Sequence, residues 1–225
     1  MEPKLSREKL CDSIIEGHPY ALFIVDKGLN IREFNPAAEK LTGQRLDGYI
    51  HGFLDAVRFQ MGQIPLYFMP CSIEKTLHEI MEGFQVKASE KNISITLDLP
   101  KVLPPSMLID KQQLERAVSN LLDNAIKYSP EESEVVIRAM EKEDSILFEI
   151  RDHGDGIYRE DLPHIFEYFY RCKDKAGQVT GAGLGLAIVK GIIESHDGKI
   201  WAKSVPGKGT SFFFTIPKTE TGKTR

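Results

Sequence analysis

Residues 67–218 predict an α+β fold, a two-layer α/β sandwich in which helices cover one face of a mixed β-sheet. Three observations support this prediction. Apolar and polar residues alternate from Ile93 to Leu99, as they do in a strand with one buried face. A long amphipathic helix pattern begins after Asp110, which is a favourable N-cap residue. Two strands, glycine-rich turns, a helix and two more strands then follow, an order unlike the regular alternation of a doubly wound sheet.

The chain before this region predicts a smaller, partial α/β segment. Residues 21–26 and 31–35 are strand-like runs separated by a turn, and an Asn-Pro pair then supplies an N-cap and a first helical residue. This order resembles the opening of a PAS sensor domain, which assigns residues 1–48 to a partial PAS-like sensor segment. A generic hairpin followed by a helix is the alternative. Residues 49–66 have the apolar spacing of a helix end and then a linker.

The remaining elements are assigned from apolar periodicity and turn residues. Apolar residues at three- and four-residue spacings predict a helix over residues 73–90, and Asp110 caps a second long helix. The other predicted elements are an extended segment at 66–70, strands at 134–140 and 145–151, a short helix at 160–170, a helix at 184–196, strands at 199–205 and 210–216, and a polar tail at 219–225.

Composition excludes several classes of protein. The 225 residues are 41% hydrophobic with a net charge of −4, and Lys and Arg are scattered, so we expect no nucleic-acid partner. Cys11, Cys71 and Cys172 form no C-x-x-C pair, which argues against zinc and fits a reducing compartment. The sequence has neither a signal region nor an apolar run of about 18 residues. We therefore expect a cytoplasmic chain without membrane contact.

Four short blocks carry the residues that could bind a nucleotide. They are Asn-Leu-Leu-Asp-Asn-Ala-Ile-Lys-Tyr at 120–128, Asp-His-Gly-Asp-Gly-Ile at 152–157, Gly-Ala-Gly-Leu-Gly-Leu at 181–186 and Gly-Lys-Gly-Thr at 207–210. Each block alone is a weak signal. In this order, with strand and helix patterns between them, they indicate a pocket for ATP and magnesium.

The first block places polar residues on one helical face. Asn120, Asn124 and Lys127 are spaced at i, i+4 and i+7, away from the apolar stripe of the same helix. Amide oxygens suit a magnesium ion that keeps several waters and binds phosphates, and the lysine adds a charge for phosphate oxygens. The alternative is the ordinary polar face of an amphipathic helix.

The other blocks combine an aspartate with glycines. Asp152 follows a predicted strand and can accept a hydrogen bond from an exocyclic amine, while Gly154 and Gly156 allow close approach of a flat ring. The glycines at 181–185 open a helix, where backbone N–H groups bind anions. This block is not G-x-G-x-x-G, and the block at 207–210 has no helix after it, so neither a Rossmann motif nor a P-loop is present. Ordinary turns and a flexible loop are the alternatives.

Taken together, the blocks resemble the ATP-binding domain that is shared by sensor histidine kinases, DNA gyrase, the heat-shock chaperone ATPase and the mismatch-repair ATPase. The resemblance covers residues 68–218. In the terms of that family, residues 120–128 are the N box, 152–157 the G1 box, 165–171 the F box and 181–186 the G2 box, with a lid at 172–180.

The resemblance implies a role for each matching residue. Asn120, Asn124 and Lys127 would be catalytic, and the two asparagines would hold magnesium. Asp152 would bind the adenine amine, with help from Thr210 through water. The implied nucleotide-binding residues are Asn124, Lys127, Tyr128, Asp152, Gly154, Gly156, Ile157, Arg171, Gly181, Gly183, Leu184, Gly185, Leu186 and Thr210.

Asn120 favours the kinase branch of this family. The ATPases of the family place a general-base glutamate one helical turn before the magnesium asparagine, and an amide at that position cannot deprotonate water. Glu115 lies more than one further turn away. The resemblance therefore implies a sensor histidine kinase that phosphorylates a histidine of its own dimerisation domain, forms a homodimer through those helices and serves the receiver domain of a response regulator. A regulatory ATP-binding module and a weak ATPase are the alternatives.

The phosphate-accepting histidine of such kinases is missing from the sequence. None of the six histidines lies in a block like Ser-His-Glu-x-Arg-Thr-Pro. Residues 53–62 resemble the end of the second dimerisation helix. The resemblance therefore implies that a PAS beginning runs directly into the last turns of a kinase hairpin. A deletion, an engineered chain and one part of a longer protein are the possible explanations. We expect the last, because residues 48–51 have no linker composition.

Overall fold

The computed structural model describes residues 23–25, 31–34, 66–100, 103–104, 106–172 and 183–218. The chain divides into two compact units, residues 1–58 and 59–225. In the first unit, strands β1 (Phe23–Val25) and β2 (Ile31–Phe34) pair antiparallel, as the hairpin prediction requires. The helix predicted after this hairpin and the helix end predicted within residues 49–66 lie outside the described residues.

The second unit has the predicted order of strands and helices with two exceptions: a short strand at Met107–Ile109 is not among the predicted elements, and the helix predicted at residues 160–170 does not form. In chain order its elements are β3 (Met69–Cys71), α1 (Ile73–Ser89), β4 (Ser94–Asp98), β5 (Met107–Ile109), α2 (Lys111–Tyr128), β6 (Glu134–Glu141), β7 (Ser145–Arg151), α3 (Gly185–Ser195), β8 (Lys199–Val205) and β9 (Gly209–Pro217). Most predicted boundaries are within two residues of these.

The main sheet is mixed, with strand order β4-β6-β7-β9-β8. Strands β4 and β6 are parallel, and the other three neighbouring pairs are antiparallel. Strands β3 and β5 form a separate antiparallel pair. The mixed sheet confirms the α+β class and excludes a doubly wound architecture.

The core lies between the main sheet and the helices. The inward-facing residues of α2 and α3 are fully or almost fully buried, and so are alternate residues of β6, β7 and β9. Phe148 and Phe214 stack at the centre with ring centroids 4.5 Å apart. Removing a phenylalanine side chain of this kind from water stabilises a fold by roughly 1.5–3 kcal/mol. The opposite face of the sheet carries charged and half-exposed side chains, which confirms a two-layer sandwich.

Polar side chains hold both ends of α2. Asp110 occupies the N-cap and accepts a hydrogen bond from the backbone N–H of Gln113, as the sequence predicts. At the other end, the Lys91 ammonium donates to the carbonyl oxygens of Ile126, Lys127 and Ser129 at 2.9–3.1 Å. A cation at a helix C-terminus interacts favourably with the helix dipole. Lys91 therefore stabilises the end of α2 that carries the last residues of the first block.

The helix predicted at residues 160–170 is wrong. This segment forms a series of turns, in which most hydrogen bonds span three residues, as from Glu167 N–H to the His164 carbonyl. Pro163 has no amide hydrogen and cannot donate in a helical ladder. Polar contacts between nearby side chains stabilise the segment where regular helical hydrogen bonds are absent. One of them is the hydrogen bond from the Tyr170 hydroxyl to the Asp161 carboxylate at 2.6 Å.

No helix in the described part of the chain is both long enough and apolar enough to cross a lipid bilayer.

A buried histidine connects the start of α2 with the end of α3. His196 follows α3 and donates from Nδ1 to the Ile192 carbonyl oxygen at 2.8 Å, and its Nε2 accepts from the Asp110 N–H at 3.2 Å. The bond to Nε2 requires the neutral ring, because Nε2 must keep its lone pair to accept, and the proton is then on Nδ1. Burial lowers the pKa of His196 below its ordinary value, while the carboxylates of Asp110 and Asp197 oppose that shift.

We predict that acid destabilises the domain through His196. Because the folded-state pKa is lowered, the unfolded chain binds the proton first as the pH falls through the ordinary value near 6.5. The free energy of unfolding should therefore decrease from pH 7 toward pH 5. Urea unfolding of His196→Gln should show a weaker pH dependence than wild type, whereas His78→Gln, at an exposed site on α1, should keep it. An unchanged slope in His196→Gln would contradict this prediction.

Candidate nucleotide-binding site

The carboxylate of Asp152 is fixed just beyond the end of β7. Asp152 is buried, with 5% of its surface exposed. One carboxylate oxygen, Oδ1, accepts hydrogen bonds from the N–H groups of Gly154 at 2.8 Å and Thr210 at 3.0 Å. The Asp152 N–H in turn donates to the Thr210 carbonyl oxygen at 2.9 Å. The structure therefore brings the second and fourth blocks together around one oriented carboxylate.

The glycine at 154 allows the loop after β7 to contact the end of α2. A Cβ atom on Gly154 would lie 2.5 Å from the carbonyl oxygen of Tyr128, closer than side chains tolerate. A Cβ atom on Gly156 would lie 2.3 Å from the carbonyl oxygen of Val205, and one on Gly209 would lie 2.1 Å from the carbonyl oxygen of Asp152. The second block thus meets both the first and the fourth blocks through close backbone contact, which any side chain at Gly154 or Gly209 would prevent.

A serine outside the four blocks connects the loop after β7 to the hairpin formed by β8 and β9. The Ser204 hydroxyl on β8 accepts from the Ile157 N–H at 2.8 Å, donates to the Gly209 carbonyl oxygen at 2.9 Å and contacts Thr210 Oγ1 at 2.9 Å. The sequence prediction missed Ser204. The signal was available, because the short turn between β8 and β9 sets a register in which Ser204 pairs with Thr210.

The polar face of α2 lies against the start of α3. Asn120 donates from Nδ2 to the Arg116 carbonyl oxygen at 2.9 Å. Its Oδ1 points toward Gly185, where an added Cβ atom would lie 3.3 Å from that oxygen. Asn124 is half-buried one helical turn further along. The first and third blocks therefore meet where the amide oxygen of Asn120 approaches the N-terminus of α3.

This donor set fits a magnesium ion that arrives with a nucleotide. Amide oxygens are hard, neutral ligands, and Mg²⁺ usually takes only one or two protein ligands beside water and substrate phosphates. Asn120 keeps its Oδ1 turned toward the glycine-rich entrance of α3, since its amide nitrogen is held by α2 itself. Within the described residues, no group of three or more His, Cys, Asp or Glu side chains could hold a metal instead.

Positive charges gather at the end of α2. Lys127 is half-buried, with its ammonium 5.4 Å from the ring centroid of Tyr128. Burial lowers the pKa of Lys127 below its ordinary value, Asp123 opposes the shift, and the cations Arg171 and Lys87 add to it. Burial also raises the pKa of the Tyr128 hydroxyl. An anion such as a phosphate group would relieve the repulsion between these cations.

The described residues on either side of the predicted lid are joined at its base. The Phe169 N–H donates to the Gly183 carbonyl oxygen at 3.0 Å. Gly183 has a φ of +70°, and a Cβ atom there would lie 2.7 Å from the Tyr170 carbonyl oxygen. Leu184 is buried at the N-cap of α3 and makes no side-chain hydrogen bond to the first turn, in which Leu186 lies. Gly181 and residues 173–180 lie outside the described residues.

The predicted F box is anchored on both sides of this base. Ile165 is buried, and the Phe166 ring lies edge-on to Phe212 of β9 with centroids 6.4 Å apart. The hydrogen bond from the Tyr170 hydroxyl to Asp161 raises the pKa of Tyr170 to about 12. These contacts hold the chain that leads to Arg171 against the sheet.

Comparisons with known proteins agree with this arrangement. A family model described as histidine kinase-, DNA gyrase B-, and HSP90-like ATPase matches residues 109–220, and a PAS domain model matches residues 12–67. The adaptive-response sensory kinase SasA of Synechocystis sp. is 36% identical over 173 residues, which are 76% of this chain and 45% of that protein. The chain thus spans less than half of the length of this relative.

Solved structures of histidine kinases also match this chain. Full-length ShkA in complex with AMPPNP matches with a TM-score of 0.68 and 28% identity, over 76% of this chain and 36% of that chain. The catalytic domain of histidine kinase ThkA matches with a TM-score of 0.61 and 26% identity, over 68% of this chain and 97% of that domain.

The mixed sheet, its helical layer and the buried aspartate define a nucleotide-binding domain of the ATPase class that histidine kinases, DNA gyrase B and HSP90 share. The relatives show which branch of this class the chain resembles. The chain belongs to the sensor histidine kinase family and carries the ATP-binding catalytic domain of that family.

We predict that Gly154→Ala weakens ATP binding about tenfold or more. The new methyl group would overlap the Tyr128 carbonyl oxygen and force the loop away from α2, and overpacking of this kind costs roughly 1–3 kcal/mol. Isothermal titration calorimetry measures the affinity. The matched control is Gly83→Ala, which has open space on α1 and should leave ATP affinity unchanged while stabilising the fold by roughly 0.5–1 kcal/mol. Wild-type affinity in Gly154→Ala would contradict the prediction.

Proposed function

We propose that the complete protein is an ATP-dependent protein-histidine kinase, in which residues 67–218 bind ATP and transfer its terminal phosphoryl group to a histidine of the protein's own dimerisation domain. The observation that carries the proposal is Asn120, an amide where water-activating ATPases need a carboxylate. The nearest carboxylate before it on α2, Glu115, is 3.4 Å from the Lys111 ammonium and is engaged there. The site is therefore suited to phosphoryl transfer to a side chain rather than to water.

The adenine end of the proposed site depends on an oriented acceptor. Asp152 is held by two backbone N–H groups on Oδ1, so its carboxylate has one fixed direction from which to accept the exocyclic amine of adenine. Gly154, Gly156 and Ile157 form the loop beside it, Tyr128 packs at its edge, and Thr210 borders the carboxylate. These residues would bind the base without moving.

The phosphate end of the proposed site depends on charge and backbone amides. Lys127 and Arg171 would bind phosphate oxygens, and the first turn of α3, with Gly183, Leu184, Gly185 and Leu186, would supply N–H groups and the helix dipole. Gly181 would complete the loop. Asn120 and Asn124 would hold magnesium, which, when bound, neutralises charge on the transferred group. Catalysis would then be mainly positioning and charge stabilisation.

The proposed partners follow from this chemistry. The phosphohistidine would pass its group to an aspartate in the receiver domain of a response regulator, and the complete protein would act as a homodimer through its dimerisation helices. Residues 1–48 would belong to a PAS-like sensor, and residues 49–66 would lead from the dimerisation helix into the catalytic domain. We further propose a cytoplasmic location for this part of the protein.

Asp152→Ala tests the adenine site. Loss of a hydrogen bond to a charged group costs roughly 1.5–3 kcal/mol, so ATP affinity should fall roughly tenfold to a hundredfold in calorimetric titration. Asp144→Ala is the matched control, because it removes one exposed carboxylate from the turn between β6 and β7. It should bind ATP as wild type does. An Asp152→Ala variant with undiminished affinity would show that the base binds elsewhere.

Radiolabelled ATP tests the reaction. The chain is incubated with ATP labelled at the γ-phosphate, magnesium and the dimerisation domain of the complete protein. We expect acid-labile, base-stable label on a histidine of that domain and little release of free phosphate. ATP binding without transfer of label would instead favour a regulatory module. Steady release of phosphate without labelled protein would favour an ATPase, and either result would overturn the proposal.

A further inference from the structure

The Ser204 hydroxyl lies where the loop after β7 meets the hairpin of β8 and β9. Its three contacts are the Ile157 N–H at 2.8 Å, the Gly209 carbonyl oxygen at 2.9 Å and Thr210 Oγ1 at 2.9 Å. Ser204 is only half-buried, but Thr210 beside it is 6% exposed. These bonds join a strand of the sheet to the loop that carries the predicted adenine site.

The donor and acceptor capacity of a serine hydroxyl fixes the direction of each bond. A carbonyl oxygen can only accept, so the single proton of Ser204 points to Gly209. A backbone N–H can only donate, so one lone pair of Ser204 is used by Ile157. In the contact with Thr210 the remaining lone pair of Ser204 must accept, and Thr210 must give its own proton.

This arrangement decides what Thr210 can offer to a ligand. Because its proton is directed to Ser204, the Thr210 hydroxyl has only lone pairs left. The Thr210 N–H binds Asp152 Oδ1 at 3.0 Å, so the residue that carries this hydroxyl is in direct contact with the carboxylate. An ionised carboxylate is also an acceptor without a proton. The polar edge of the proposed adenine site therefore carries two neighbouring residues whose side chains both accept hydrogen bonds.

We propose that Ser204 is a positioning residue that sets the purine specificity of the site by fixing the direction of the Thr210 hydroxyl. Two acceptors match a purine with an amino group at C6 and repel a purine with a carbonyl oxygen there. The inference rests on the proposed ATP site and adds a reason for its discrimination against 6-oxopurine nucleotides. Removing Ser204 would let the Thr210 proton turn toward the ligand and donate to a carbonyl oxygen.

Calorimetric titration of the whole chain with ATP and with ITP tests this inference, since ITP differs at C6 and in the N1 proton that accompanies the carbonyl group. Wild type should prefer ATP. In Ser204→Ala the ratio of the ITP and ATP dissociation constants should fall about three- to tenfold, as expected for one neutral hydrogen bond. Ser204→Thr keeps the hydroxyl and should keep the wild-type ratio. Ser211→Ala removes a hydroxyl from the opposite face of β9 and should also leave the ratio unchanged.

Thr210→Val provides an independent measurement in case Ser204→Ala does not fold. It should lower the same ratio, and adding Ser204→Ala to it should cause no further change, because both substitutions remove one interaction. Equal loss of affinity for both nucleotides, or an unchanged ratio, in Ser204→Ala or Thr210→Val would overturn the inference. Failure of wild type to bind ATP would instead overturn the proposed function.

Discussion

The bond between the Asp152 carboxylate and the backbone N–H groups of Gly154 and Thr210 is the interaction on which the rest of the site depends. It joins the end of β7 to the following loop and to the start of β9. The carboxylate is buried, and a buried carboxylate without partners would be costly. The two N–H donors offset that cost, and they also fix the direction of the carboxylate. A group that is both buried and oriented can recognise a ligand without reorganising.

Close contacts between backbone segments connect the loop around Asp152 to the helices. Gly154 lets the loop contact the end of α2 at Tyr128, while Lys91 stabilises that same helix end from the other side. Asn120 faces Gly185 at the start of α3, so the amide side chain of α2 lies next to the N-terminus of α3. The residues of the proposed adenine end and those of the proposed phosphate end are therefore connected through α2.

Local patterns in the sequence were sufficient for most of the fold. Asp110 caps α2 because a short acidic side chain reaches the amide of Gln113, a contact between near neighbours. The alternation around β4 requires one buried face wherever that strand is placed. The helix predicted at 160–170 failed because apolar spacing outweighed Pro163, whose missing amide hydrogen breaks the helical ladder. The error is confined to this short segment, in which polar side-chain contacts such as that between Tyr170 and Asp161 take the place of helical hydrogen bonds.

The sequence by itself determined the class of the domain, the order of most of its elements and the chemical types in its proposed site, because spacing, capping and glycine placement are local properties. Only the tertiary structure decided which of these residues meet and what each can donate or accept. Lys91 reaches carbonyl oxygens 35–38 residues away, and Ser204 meets Ile157 across 47 residues. Contacts of this kind depend on how strands and helices pack, and no local pattern records them. The direction of the Thr210 hydroxyl follows from such a contact.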